Sequence, residues 1–165
     1  MLTISRVKQL LRAHNLRPNK RLGQNFLIDH NIVAKIIESA GISPDDSVLE
    51  IGAGLGNITA DIAAAAKKVT AVEFDKGLFS VLKENAGARE NIEPVCGDIL
   101  RFDFRGAAAG CGRIKVIGNL PYYITTPVLG RLIKNRPLIS AAVLMVQKEL
   151  GLRLAARPGS KAYGS

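Results

Sequence analysis

The chain has 165 residues, 47% of them apolar and 22% charged, with a formal net charge of +9. That suits one globular domain burying roughly two-thirds of its unfolded surface and excludes a disordered chain. No apolar run approaches the ~20 residues of a membrane-spanning helix, no secretory apolar core opens the chain, and two cysteines, Cys96 and Cys111, make neither a disulfide framework nor a metal-spaced set.

In chain order, residues 3–13 are expected to form a basic amphipathic helix with Ile4, Val7 and Leu11 on one side. The polar, loop-like stretch RPNKRLGQNFLID follows. Ile32, Val33, Ile36, Ile37 and Ala40 then share one helical face. The first buried strand is SVLEIG at 47–52, ahead of a helix carrying Ile58 and Ile62. KVTAVEF at 68–74 is the second strand, followed by a helix with Leu78, Phe79 and Leu82. IEPVCGD at 92–98 is the third, and GAAAGCG at 106–112 a flexible loop. RIKVIGN at 113–119 is the fourth strand. A helix follows, with Thr126 as N-cap and Pro127 at its first position. AAVLMVQ at 141–147 is the fifth strand. Strands alternating with helices predict an α/β fold with a parallel sheet covered on both faces. An open sheet ending at the fifth strand would leave an apolar edge, so a longer natural protein is expected.

Charge is segregated. Residues 1–28 carry six basic and no acidic side chains, 29–103 seven and thirteen, and 104–165 ten and one. Two basic ends around an acidic middle suggest a polyanionic partner, nucleic acid first.

The chemistry-bearing residues fall where these strands end. EIGAGLGNIT sets Gly52, Gly54 and Gly56 between a strand and a helix, where backbone can approach a ligand closely. Glu73 closes the second strand, placed to accept both hydroxyls of a ribose. The spacing G-x-G-x-G, with acidic Glu50 just before it, disfavours a pyrophosphate and suits a cationic ligand. S-adenosylmethionine, with its sulfonium and amino groups, is such a ligand. Asp98 ends the third strand and can accept from the exocyclic amine of the cofactor's adenine.

After the fourth strand comes NLPY. The exocyclic amine of adenine is a poor nucleophile because its lone pair is delocalised into the ring. The side-chain oxygen of Asn119 and the backbone carbonyl of Leu120 can accept its hydrogens and localise that lone pair. Pro121 sets the bend and Tyr122 can stack on the base. The target nucleotide must be unpaired or flipped out, and catalysis is then orientation plus electrostatics.

RLGQNFLID, VLEIGAGLGNIT, VEFD, GDIL, GNLPYYITTP and VLMVQKE, in that order, resemble the adenine-N6 dimethyltransferases of ribosomal RNA across residues 15–163. The likeness is greatest to bacterial small-subunit members. It implies a Rossmann-like S-adenosylmethionine-dependent methyltransferase fold. It also implies transfer of two methyl groups to each of two adjacent adenosines in a hairpin loop near the 3′ end of small-subunit RNA. Carried onto this chain, the cofactor contacts would be Asn25, Leu27, Gly52, Glu73, Asp98 and Asn119. Asn119 and Leu120 would orient the amine, Pro121 would hold the bend, Tyr122 would stack, and Gln24 would line the pocket. Members of the family continue past the YG at 163–164 with two more strands and a helical RNA-gripping domain. Residues 1–165 are therefore expected to be the N-terminal part of a catalytic domain, with 1–29 a basic extension and cofactor loop. The expected partner is small-subunit rRNA or a 30S assembly intermediate, without a membrane, for a monomeric cytoplasmic protein. The alternatives are a macrolide-resistance methyltransferase of large-subunit RNA, which more often has Ile at the place of Leu120; a non-catalytic assembly or transcription factor; and a nicotinamide oxidoreductase.

Overall fold

The computed structural model describes residues 2–19, 23–24, 26–87, 89–160 and 163. Five parallel strands, β1 (Ser47–Ile51), β2 (Lys68–Glu73), β3 (Ile92–Cys96), β4 (Ile114–Asn119) and β5 (Ile139–Met145), form one sheet in the order β3-β2-β1-β4-β5. The chain starts at the centre, winds outward through β2 and β3, then returns to place β4 on the other side of β1. Leu49 of β1 pairs with Thr70 of β2 and Val116 of β4. Where the winding reverses, between β1 and β4, a crevice opens at the carboxyl ends of the strands.

Seven helices flank or extend the sheet among the described residues: α1 (Ile4–Ala13), α2 (His30–Ala40), α3 (Thr59–Ala65), α4 (Lys76–Ala86), α5 (Phe104–Ala108), α6 (Tyr122–Lys134) and α7 (Lys148–Leu154). Strand alternation sends Val48, Val69, Ala71 and Ile117 to one face, where they meet Val33, Ile36, Ile62 and Leu82 of α2, α3 and α4. Leu49, Ile51, Val72 and Val116 point the other way, onto Phe104, Val128 and Leu132 of α5 and α6. Helix starts carry aspartate caps: Asp29 accepts from Asn31 N–H at 2.8 Å, and Asp75 from Gly77 N–H at 2.9 Å. Among the described residues no helix is long and apolar enough to cross a membrane.

Four local expectations are corrected. The apolar face of α1 is Val7, Leu10 and Leu11, which pack with Leu55 of the glycine turn and Leu78 and Val81 of α4, while Ile4, expected on that side, is exposed. Helix α6 starts at Tyr122, not beside Thr126. Pro121 is its N-cap residue and Pro127 lies inside the helix. The first turn closes through Pro121, whose carbonyl accepts from Ile124 N–H at 3.3 Å and Thr125 Oγ1 at 2.9 Å. The stretch taken as loop at 106–112 begins as the end of α5, because Phe104 and Ala108 bury against the sheet. Strand β5 begins at Ile139, two residues earlier than its apolar run suggested.

Candidate functional site

The crevice at the β1/β4 reversal is a cleft of about 280 Å³. Its floor is the glycine turn. Gly52 has φ +71°, and a Cβ there would lie 3.7 Å from the Asn119 carbonyl oxygen, so β1's turn and β4's end face each other across the cleft. Gly23 closes the near side. A Cβ there would stand 2.6 Å from Pro121 Cβ, and φ is +57°. Gly23 and Pro121, 98 positions apart, thus touch in the fold.

Glu73 and Asn119, the last residues of β2 and β4, and Asp98, two residues past the end of β3 at Cys96, line this one cleft, together with Gly52, Leu120, Pro121 and Gln24. Glu73 is buried, and backbone holds its carboxylate. Oε2 accepts from Gly54 N–H at 2.7 Å and Oε1 from Asp75 N–H at 2.8 Å. Burial lifts its pKa above the usual carboxylate value, those two hydrogen bonds oppose the rise, and the charge of Asp75 adds to it. Each oxygen keeps a further lone pair for a ligand hydroxyl. Asp98 Oδ1 caps the 3-10 turn Ile99–Arg101, accepting from Leu100 N–H at 2.9 Å. Asn119 pairs with Met145 across β4 and β5, and Leu120 N–H extends that ladder by donating to the Met145 carbonyl at 3.0 Å. The peptide at the bend is therefore fixed by the sheet.

Two predicted residues lie elsewhere. Leu27 does not line the cleft; its carbonyl accepts from Asn57 Nδ2 at 2.8 Å. Tyr122 is 72% exposed and also outside the lining, whereas its neighbour Tyr123 is part of it. Asn25 lies outside the described residues.

Glu50 departs from its expected place at a strand end. It sits within β1, paired with Ala71 and Ile117, and is 2% exposed on the side facing α3. Burial pushes its pKa up to about 8, with the Thr59 hydroxyl opposing and the charge of Glu73 adding. Its Oε2 has no hydrogen-bond partner among the described residues. It is a neutral acid beneath the glycine turn at pH 7, not a carboxylate in the cleft.

Three further residues of the lining had weak sequence signals. Phe74 follows Glu73 directly and is 61% exposed, a large apolar ring left open at a strand end. Ile99 and Leu100, just after Asp98, supply a second apolar wall. The cleft therefore offers apolar surfaces between two carboxylates and a carboxamide. Among its described lining residues there is no Lys or Arg. Such a site fits a flat, uncharged ring joined to a polyhydroxylated or cationic group, and disfavours a phosphate.

The model of the family "Ribosomal RNA adenine dimethylase" matches residues 15–165. The chain belongs to this family. The curated "Ribosomal RNA small subunit methyltransferase A" of Moorella thermoacetica is 48% identical over 99% of this chain and 59% of its own length. The protein of the same name from Syntrophus aciditrophicus is 48% identical over 96% of this chain and 57% of its own. The chain thus spans a little over half the length of the curated relatives it matches. Among solved structures, a dimethyladenosine transferase from Plasmodium falciparum superposes with a TM-score of 0.74 at 35% identity, covering 84% of this chain and 49% of that one. The 23S rRNA methyltransferase ErmE gives 0.70 at 32% identity, covering 78% and 50%. The dimethylase fold is the Rossmann-like methyltransferase architecture expected for this chain.

Proposed function

We propose that this chain carries the cofactor and target-amine sites of an S-adenosylmethionine-dependent enzyme that dimethylates the N6 amines of two adjacent adenosines in small-subunit ribosomal RNA. The supporting observation is the cleft whose described lining holds no Lys or Arg, walled by Phe74, Ile99 and Leu100 and flanked by Glu73, Asp98 and Asn119. The names of the relatives point the same way. Residues 1–165 would form the part of the catalytic domain that holds the cleft, acting in a cytoplasmic monomer on rRNA within a 30S assembly intermediate.

In this scheme Glu73 accepts the ribose hydroxyls and Asp98 the adenine amine of the cofactor. Gly52 permits backbone approach, and Asn25 would add a contact as the family resemblance implies. S-adenosylmethionine supplies an electrophilic methyl group on a sulfonium. Asn119 Oδ1 and the Leu120 carbonyl accept the two hydrogens of the target amine, which turns its lone pair out of the ring. Transfer to that lone pair would break the sulfur–methyl bond and leave S-adenosylhomocysteine, and the methylated amine would lose its proton to water. Leu120 N–H on Met145 and the extended backbone of Pro121 (φ −70°, ψ 156°) hold these acceptors rigid beforehand. Tyr122, exposed beside the cleft, offers a face on which the extruded base can stack.

Titration of the chain with S-adenosylmethionine and, separately, with NAD by calorimetry tests this. Saturable binding of the first alone is expected; binding of NAD alone would overturn the assignment.

A further inference from the structure

Two tyrosines open α6, and the fold treats them differently. As consecutive helical residues they are set about 100° apart around the axis. Both side chains are exposed, Tyr122 at 72% and Tyr123 at 54%, but only Tyr123 is part of the cleft lining. The first turn of α6 is held by the Pro121 carbonyl, which accepts from both Ile124 N–H and Thr125 Oγ1, so the phase of the helix is fixed where the tyrosines emerge. Pro127, one turn on, also lines the cleft.

Tyr123 lies near the two carboxylates assigned to the cofactor nucleoside. Burial and then the charges of Glu73 and Asp98 hold its phenol above its ordinary pKa. Phe74 also lines the cleft, with its ring exposed and without an aromatic ring contact among the described residues.

We propose that Tyr123 is a positioning residue for the cofactor: its ring covers the adenosine moiety held by Glu73 and Asp98, while Tyr122 is left for the RNA. This rests on the assignment of the cleft to S-adenosylmethionine. It divides two adjacent tyrosines between two ligands, and the controlling feature is the start of α6 at Tyr122.

The test is calorimetry on the whole chain with two probes, S-adenosylhomocysteine and 5′-methylthioadenosine, the second lacking the amino-acid arm. Tyr123→Ala is expected to weaken both by about tenfold, within the range of a lost base–aromatic stack. Tyr123→Phe should stay within about twofold of the parent chain, as should Tyr122→Ala. Thermal melting checks that each variant is folded. If Tyr123→Ala melts, Tyr123→Leu, which keeps the volume without the ring, carries the comparison. Unchanged affinity in the ring-less variant, or a loss confined to S-adenosylhomocysteine, overturns the role. An equal loss in Tyr122→Ala overturns the division of labour. If the parent chain binds neither probe, the cofactor assignment itself falls and takes this inference with it.

Discussion

Glu50→Gln isolates the buried acid beneath the glycine turn. With its pKa pushed up to about 8 in the fold against 4.5 when exposed, the native state binds a proton that the unfolded state releases between those values. The unfolded chain thus holds fewer protons, and stability falls as pH rises through that window. At about 1.4 kcal/mol per pH unit, the loss between about pH 4.5 and pH 7 is on the order of 3 kcal/mol, a large fraction of a small domain's stability. The amide has the same shape and does not titrate. Urea unfolding of both proteins at about pH 5 and about pH 7.5 should show Glu50→Gln gaining on the parent by about 3 kcal/mol at the higher pH. The difference between the two proteins matters here, because Glu73 titrates in the same direction in both. Asp46, held below its usual pKa by Lys115 and Ser43 against the effect of its burial, contributes equally to both. A stability gap that is the same at both pH values would refute the placement of a neutral acid under the turn.

Asn119→Ala in a full-length enzyme should reduce methyl transfer by at least about 100-fold, the scale of losing one preorganised polar contact in the transition state. RNA affinity by filter binding should barely change, and undiminished turnover would remove the amine-orienting role. Gly23→Ala adds a Cβ 2.6 Å from Pro121 Cβ at a φ of +57°, so it should weaken S-adenosylhomocysteine binding measurably by calorimetry while leaving α1 docked. Full retention of affinity would show that the contact with Pro121 does not shape the cleft. RNA affinity should fall steeply with salt, and reversing Arg6, Lys8 and Arg12 on the exposed side of α1 to Glu should lower the slope of log K against log salt. An unchanged slope would place the phosphate contacts elsewhere.

Much of the cleft was legible before any coordinates. Strands buried on both faces show as apolar runs, and the residue ending each run is the one a parallel sheet delivers to its carboxyl edge. Glu73, Asp98 and Asn119 could therefore be named from position alone, and the glycines of 52–56 marked the turn between them. The ordering of β4 beside β1 was seen only in the assembled sheet.

Other features were decided only by packing. Basic side chains counted toward a polyanion surface serve the interior instead: Arg131 donates to the Phe102 carbonyl at 2.6 Å and lies over the Phe104 ring, and Lys115 pairs with Asp46 at 2.9 Å. Composition cannot separate these from solvent-facing charges, because the partners are remote in the chain. Pro127 looked like a helix start, yet the Pro121 carbonyl and the Thr125 hydroxyl begin α6 five residues earlier, and that shift in phase decides which tyrosine meets the cleft. Local sequence encodes how often a side chain is buried. Which face it takes, and what it meets there, depends on the register of neighbouring elements, which exists only once the sheet has assembled.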